Sequence, residues 1–258
     1  MKKKSKKKVT KSKRAKKAMR TSKRNKAKKQ PVKLSGPTLV AFLLDETGSM
    51  SSCKQATISG FNEYVTTLKN SKNKISFTLT KFNSSKKEVV YDCVDIKDVK
   101  DLDDTNYVPN HNTPLYDAIG NTIRATENNK DSKGKKTLVV IQTDGEENDS
   151  REFNQQSISD LIKEKEKTGW TFVFLGANID AYAAAKVIGI KASNTANYST
   201  TKTDKVFRGM AMATQNYACN AQVGVSAECF YASAGVDVKS FVDDEKTIKA
   251  KDKQVTLL

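Results

Sequence analysis

The chain has 258 residues, enough for one medium domain with tails or at most two small domains. Hydrophobic residues make up 37%, and 46 Lys and Arg stand against 29 Asp and Glu, a formal net charge of +17. The longest apolar run, residues 39–44, is far too short to cross a bilayer core of roughly 30 Å, and no apolar segment follows the basic N-terminus, so neither a membrane span nor a secretory signal is expected.

The charge is concentrated at one end. Residues 1–36 hold 18 of the basic residues and no acid, which leaves 28 basic against 29 acidic residues in the rest, a body near −1. Such a segment cannot bury a core, and disorder in isolation is expected. Its candidate contacts are Lys2, Lys3, Lys4, Lys6, Lys7, Lys8, Lys11, Lys13, Arg14, Lys16, Lys17, Arg20, Lys23, Arg24, Lys26, Lys28 and Lys29. Lys favours diffuse phosphate contact, and no aromatic residue is present to stack on bases. DNA or RNA binding through residues 1–33 is therefore expected to be sequence-independent and salt-sensitive. A nuclear-targeting reading uses the same residues. An anionic membrane surface lacks support from any amphipathic face or lipidation motif. The expected location is intracellular: cytoplasm, nucleoid or virion, or the nucleus of a eukaryotic host.

Pro31, Gly36 and Pro37 mark the passage into the body. Thr38–Asp45 (TLVAFLLD) is a continuous apolar run ending in an acid, the pattern of a central parallel strand buried on both faces. Residues 51–69 read as a helix with apolar positions at Ile58, Phe61, Val65 and Leu68. Ile75–Phe82 and 88–94 alternate as a hairpin, and 95–112 reads as acidic loop. Residues 114–127 form a helix with Pro114 in its first turn. Residues 137–143 and 171–175 are two further buried strands, separated by a helix at 154–167. Short helices follow at 180–188 and 204–218. The alternation predicts an α/β fold: a doubly wound, mostly parallel sheet with one antiparallel edge strand. The expected division is a basic tail at 1–36, a domain at 37–218, and an extension of uncertain structure at 219–258.

Cys53, Cys93, Cys219 and Cys229 form no CxxC pair, and His111 is the one histidine, which argues against a Cys/His zinc site. Reduced thiols are expected, with a Cys219–Cys229 bridge the alternative.

Ligands of doubly wound sheets bind beyond the carboxyl ends of the central strands. The first strand ends Asp45-Glu46-Thr47-Gly48-Ser49, and the second buried strand runs Thr143-Asp144-Gly145-Glu146-Glu147-Asn148. Alternate spacing lets the oxygens of Asp45, Thr47 and Ser49 converge, and Gly48 allows the bend. A hard cation such as Mg²⁺ takes oxygen ligands. The same Asp, Thr and Ser are also ordinary helix caps, and that reading stands beside the first.

Asp-x-Thr-Gly-Ser resembles the DxSxS motif of von Willebrand factor A (vWA) domains, which share a Rossmann-like fold. Thr143–Asn148 resembles that family's TDGxxN segment, and Asn112–Ala118 its T-P-L-x-D-A helix start. Gly169–Ile190 also resembles stand-alone bacterial and phage-encoded members. The resemblance implies a MIDAS-type site for Mg²⁺, with Mn²⁺ or Ca²⁺ as alternatives. Thr47 and Ser49 would ligate through hydroxyls, Thr113 in one conformational state, and Asp45 and Asp144 directly or through water. Thr47 stands where Ser is commoner, and His111-Asn112 replaces glycines often found before the threonine. The partner it implies is an acidic group on another protein. Glu46 and Asp117 read as helix-start acids, His111 as a loop residue, and Glu146 and Glu147 as solvated rim charges.

Catalysis has little support, since no GxSxG elbow or P-loop occurs and a triad would have to use His111. The expected function is a metal-dependent binding module, not an enzyme, with a nucleic-acid-binding tail. The alternative is a nucleic-acid-packaging or virion-associated protein whose vWA domain mediates assembly.

Overall fold

The computed structural model describes residues 36–220 and 226–242. The readings made for residues 1–35, including all seventeen cationic contacts, lie outside the described residues, as do 221–225 and 243–258.

Among the described residues six strands and five α-helices follow in chain order: β1 Thr38–Asp45, α1 Lys54–Lys69, β2 Ile75–Phe82, β3 Lys87–Asp95, α2 Leu115–Asn128, β4 Lys136–Thr143, α3 Gln155–Lys167, β5 Thr171–Ala177, α4 Ala181–Val187, β6 Thr195–Tyr198 and α5 Thr203–Asn220. The sheet order is β3-β2-β1-β4-β5-β6. Every pairing is parallel except β2 with β3, so the one antiparallel strand lies at an edge, as expected. Chain order reverses between β1 and β4, whose neighbouring strands lead away in opposite directions. This switch point brings the loops after β1 and β4 side by side.

All eight β1 residues are buried. Its side chains alternate between two layers of core. Val40, Phe42 and Leu44 pack with residues of α1 and α5; Ala41 and Leu43 pack with residues of α2 and α3. Phe42 meets Phe61 edge-on at 5.5 Å between ring centres. Lys136, buried at the start of β4, donates to the carbonyls of Tyr217 (3.2 Å) and Ala218 (2.6 Å), which closes the end of α5.

The structure departs from the expectation in four local ways. A 3₁₀ turn, Gly48–Cys53, precedes α1, so the helix begins three residues later than its periodicity implied. Pro114 is the cap of α2 and not its first helical residue. The loop at 95–112 is irregular yet anchored by buried Val99, Leu102 and Tyr107. Strand β6 was not expected; its four residues TANY show no apolar run, and pairing with β5 defines it.

Residues 226–242 lie against the domain. Phe230, Tyr231 and Phe241 are buried in the α5 layer. Asn194 donates to the Ala227 carbonyl and accepts from the Phe230 amide, both at 2.9 Å. All four cysteines are free, Cys219 and Cys229 included.

Candidate metal centre

Two loops and one helix start build the site. Asp45 is the last residue of β1 and is 0% exposed. Its Oδ1 accepts from the Thr47 amide at 2.7 Å, which curls the loop back over the strand end. Its Oδ2 accepts from the Thr143 hydroxyl at 2.5 Å, which ties β1 to β4. Tyr107 donates its phenol to the Asp45 carbonyl at 2.6 Å from the loop above. The 3₁₀ turn then carries Ser49 to the surface, with Met50 N–H bonded to the Thr47 carbonyl at 3.1 Å. Gly48 N–H donates to the His111 carbonyl at 2.9 Å, which joins this loop to the segment carrying Thr113.

The hydroxyls and carboxylates meet across the switch point. Thr47 Oγ1 and Ser49 Oγ stand 3.2 Å apart, and Ser49 Oγ donates to Asp144 Oδ1 at 2.5 Å. Thr113 is held by a reciprocal pair with Asn148: its amide donates to Asn148 Oδ1 at 2.8 Å, and its carbonyl accepts from the Asn148 amide at 3.1 Å. A Cβ placed on Gly145 would lie 3.1 Å from Thr113 Oγ1 and 3.4 Å from Ser49 Oγ, so both hydroxyls face one point that only glycine leaves open. The five predicted residues are thus gathered at one end of the sheet. Asp45, Thr47 and Thr113 are buried, Asp144 is half-buried and Ser49 is exposed, so the cluster opens to solvent on one side.

Electrostatics mark the pair of acids. Burial pushes the Asp45 carboxyl up to about 6, against hydrogen bonds from Thr143 and Thr47 that favour its charge, and nearby Asp144 raises it further. Asp144 is raised by burial, partly offset by its bond from Ser49. Two carboxylates at one sheet end with three hydroxyls form an all-oxygen donor set suited to a hard divalent cation. Among the described residues no three His, Cys, Asp or Glu side chains gather into a metal site of their own, so the hydroxyls are essential to any such reading.

Several neighbours serve other purposes. Glu46, 1% exposed, points away from the cluster, accepts from Val108 N–H at 2.8 Å and pairs with Lys81 at 3.3 Å. It is therefore a buried loop anchor and not a helix-start acid. Asp117 does sit in the first turn of α2, yet its carboxylate accepts from the amides of Arg151, Glu152 and Phe153 at 2.8–2.9 Å. Glu147 is no solvated rim charge: it accepts from the amides of Tyr116, Asp149 and Ser150 and from the Ser150 hydroxyl. Glu146 is exposed, as expected of a rim residue. His111 is an exposed loop residue with positive φ (66°), joined to the site through its backbone. Thr143, Gly145 and Asn148, quoted from the sequence as motif positions without a role of their own, support the cluster, as does Tyr107, which no sequence pattern marked.

A doubly wound domain with a hydroxyl-and-carboxylate cluster at its switch point belongs to a recognisable class of α/β binding folds. The von Willebrand factor type A domain profile matches residues 40–211, and the chain belongs to that family. Two solved structures, of a pilus adhesin and a von Willebrand factor type A protein, agree on the fold. The SpaC pilus adhesin of Lactobacillus rhamnosus GG in its open conformation is 12% identical, over 70% of this chain and 30% of its own, with a TM-score of 0.55. A von Willebrand factor type A protein of Catenulispora acidiphila is also 12% identical, over 70% of this chain and 43% of its own, with a TM-score of 0.50. Proximal thread matrix protein 1 of the mussel byssus, solved with a zinc-occupied MIDAS motif, is 16% identical over 67% of this chain and 47% of its own, with a TM-score of 0.46. The chain spans less than half the length of each of these proteins. Among curated proteins none matches this chain. No helix among the described residues is long and apolar enough to cross a membrane.

Proposed function

We propose that this protein is a metal-dependent binding module that takes an acidic group of a protein partner. Thr47 and Ser49 hold the cation through their hydroxyls, Thr113 joins in one conformational state, and Asp45 and Asp144 act directly or through water. Mg²⁺ is the first choice, with Mn²⁺ or Ca²⁺ as alternatives. The observation that carries this reading is the contact of Ser49 Oγ with Asp144 Oδ1, which joins the two loops at the switch point into one oxygen cluster open to solvent. When bound, the cation would supply a positive centre with an open position for a carboxylate. Hydroxyl donors add no negative charge, so they leave that centre attractive to an acid.

A binding role is favoured over an enzymatic one because the buried acid of the cluster, Asp45, is not free to act as a base. Both Asp45 oxygens are taken by Thr47 N–H and the Thr143 hydroxyl. Residues 1–33 supply a second, independent surface for DNA or RNA, on the charge pattern of the sequence alone.

Calorimetric titration of the full chain with Mg²⁺ and Mn²⁺ tests the site. The combined Asp45→Ala and Asp144→Ala variant should lose binding; unchanged affinity would show the assignment to be wrong. Pull-downs with and without EDTA, repeated at high salt, separate the surfaces. Partners of the metal face should be released by EDTA and those of the tail by salt. Deleting residues 1–33 should abolish nucleic-acid binding and leave Mg²⁺ affinity intact.

A further inference from the structure

A groove of about 270 Å³ begins where the oxygen cluster ends. Gly145 belongs to both: its missing side chain faces Ser49 and Thr113, and its backbone lines the groove. The groove runs between the start of α2, the loop after β4, and α4. Its walls are apolar, formed by Leu115, Ile179, Ala184 and Val187. Its rim is acidic, with Glu146 and Asp180, and no Lys or Arg lines it. The volume lies below the roughly 300–1,000 Å³ of pockets that enclose a drug-sized molecule, so it suits one or two side chains and not a cofactor.

The chemistry of the lining selects among side chains. A second acid would meet only like charge. A purely apolar side chain would fit the walls but leave the carboxylates idle. A Lys or Arg side chain uses both parts, laying its alkyl stem along the apolar wall and its charged head at the rim. Glu146 is exposed and has no hydrogen-bond or ion-pair partner among the described residues. Asp180 is exposed and spends Oδ1 on the Ala183 amide that it caps, at 3.0 Å. Glu147, which also borders the groove, has both oxygens bonded within its own loop and adds negative potential without offering an acceptor.

We infer that this groove is a specificity subsite for a Lys or Arg side chain of the partner, lying beside the acidic residue that the metal takes. The inference rests on the metal-dependent binding proposed above. It narrows the partner to a segment presenting an acid and a base close together, so that the positive head is paired at the rim while the carboxylate is paired at the cation. Exposed pairs at such a rim are individually weak and act mainly on choice of partner.

The test uses the full chain with Mg²⁺ and an immobilised peptide library that has one fixed central Glu and randomised flanks. Bound peptides are eluted with EDTA, so tail-held peptides stay out of the readout. Lys or Arg should be enriched at a flanking position. In the combined Glu146→Gln and Asp180→Asn variant, where Asn keeps the α4 cap, affinity for those peptides should fall about 3- to 10-fold. EDTA-elutable binding of the fixed acid should persist. The combined Glu146→Lys and Asp180→Lys variant should turn the flank preference towards Asp and Glu. EDTA-elutable peptides without basic enrichment, or basic enrichment unchanged in the Gln/Asn variant, would overturn the groove assignment alone. The absence of any EDTA-elutable peptide would overturn the metal-dependent reading and this inference with it.

Discussion

Replacing Asp45 by Asn should make the metal-free protein more stable and weaken its hold on the cation. The Asp45 carboxyl is buried, and its folded-state value of about 6 stands above the ordinary 3.8. A raised carboxyl contributes stability that is fully present below the unfolded value and is lost as pH rises through the folded one. Above about pH 6 the metal-free protein therefore carries the whole cost of a buried charge. The difference of about 2 pH units corresponds to about 3 kcal/mol, at 1.36 kcal/mol for each unit. Asn has the same shape and keeps both contacts, accepting from Thr47 N–H and donating its amide N–H to the Thr143 hydroxyl.

The assay is urea unfolding followed through the single Trp170, which stacks on Phe172 at 6.3 Å. In EDTA at pH 7.5, Asp45→Asn should be more stable than the parent by up to about 3 kcal/mol, and the gap should close towards zero near pH 4. Mg²⁺ should then stabilise the parent by about 2.7 kcal/mol at 100 times its Kd and about 4.1 kcal/mol at 1,000 times, while the variant gains little. A variant less stable than the parent in EDTA at pH 7.5 would refute the reasoning, as would a gap that stays constant across this pH range. Equal stabilisation of both proteins by Mg²⁺ would remove Asp45 from the metal site.

Gly145→Ala places a methyl group 3.1 Å from Thr113 Oγ1 and 3.4 Å from Ser49 Oγ, so calorimetry should show Mg²⁺ affinity weakened on the order of 10-fold or more, with the urea midpoint in EDTA nearly unmoved. Asp117→Ala strips the acceptor from the amides of Arg151, Glu152 and Phe153. It should cost about 1–3 kcal/mol in the same unfolding assay, towards the low end because two of those amides belong to exposed residues. Thr143→Val frees Asp45 Oδ2 for the cation. Mg²⁺ should then bind more tightly while EDTA-elutable acidic peptides bind more weakly, and a parallel change in both affinities would count against the indirect role of Asp45.

The parts of the fold that repeat were legible in the sequence. Strands β1, β4 and β5 are buried on both faces, so TLVAFLLD, TLVVIQT and TFVFL show as unbroken apolar runs. β6 escaped because TANY owes its strand form to pairing with β5 and not to its own composition. The site divides in the same way. Alternate spacing pointed to Asp45, Thr47 and Ser49, and motif resemblance added Thr113 and Asp144. Nothing periodic marks Tyr107, whose phenol reaches the Asp45 carbonyl from 62 residues away, or Glu46, which pairs with Lys81 across 35. Glu147 was misread because an acid in a polar loop looks solvated until the loop closes on it. Side chains that bond the backbone of an irregular loop leave no pattern in composition or spacing.

The hydroxyl donors and the buried acid answer one electrostatic problem. Two carboxylates already stand close enough that Asp144 raises Asp45, and burial raises both. A third carboxylate in place of Ser49 or Thr113 would deepen that cost in the metal-free protein. It would also neutralise the cation further in the bound one. Hydroxyls complete the oxygen set without either effect. Thr47 N–H and Thr143 carry the same logic inward: they occupy both Asp45 oxygens, so in the proposed site Asp45 would reach a cation through water. The positive charge left over is what an acidic partner would bind. On this reading the affinity for a partner comes from charge the site declines to cancel, and choice of partner falls to the acidic groove beside Gly145. Without the strongly basic N-terminal segment, the body carries nearly equal numbers of acids and bases.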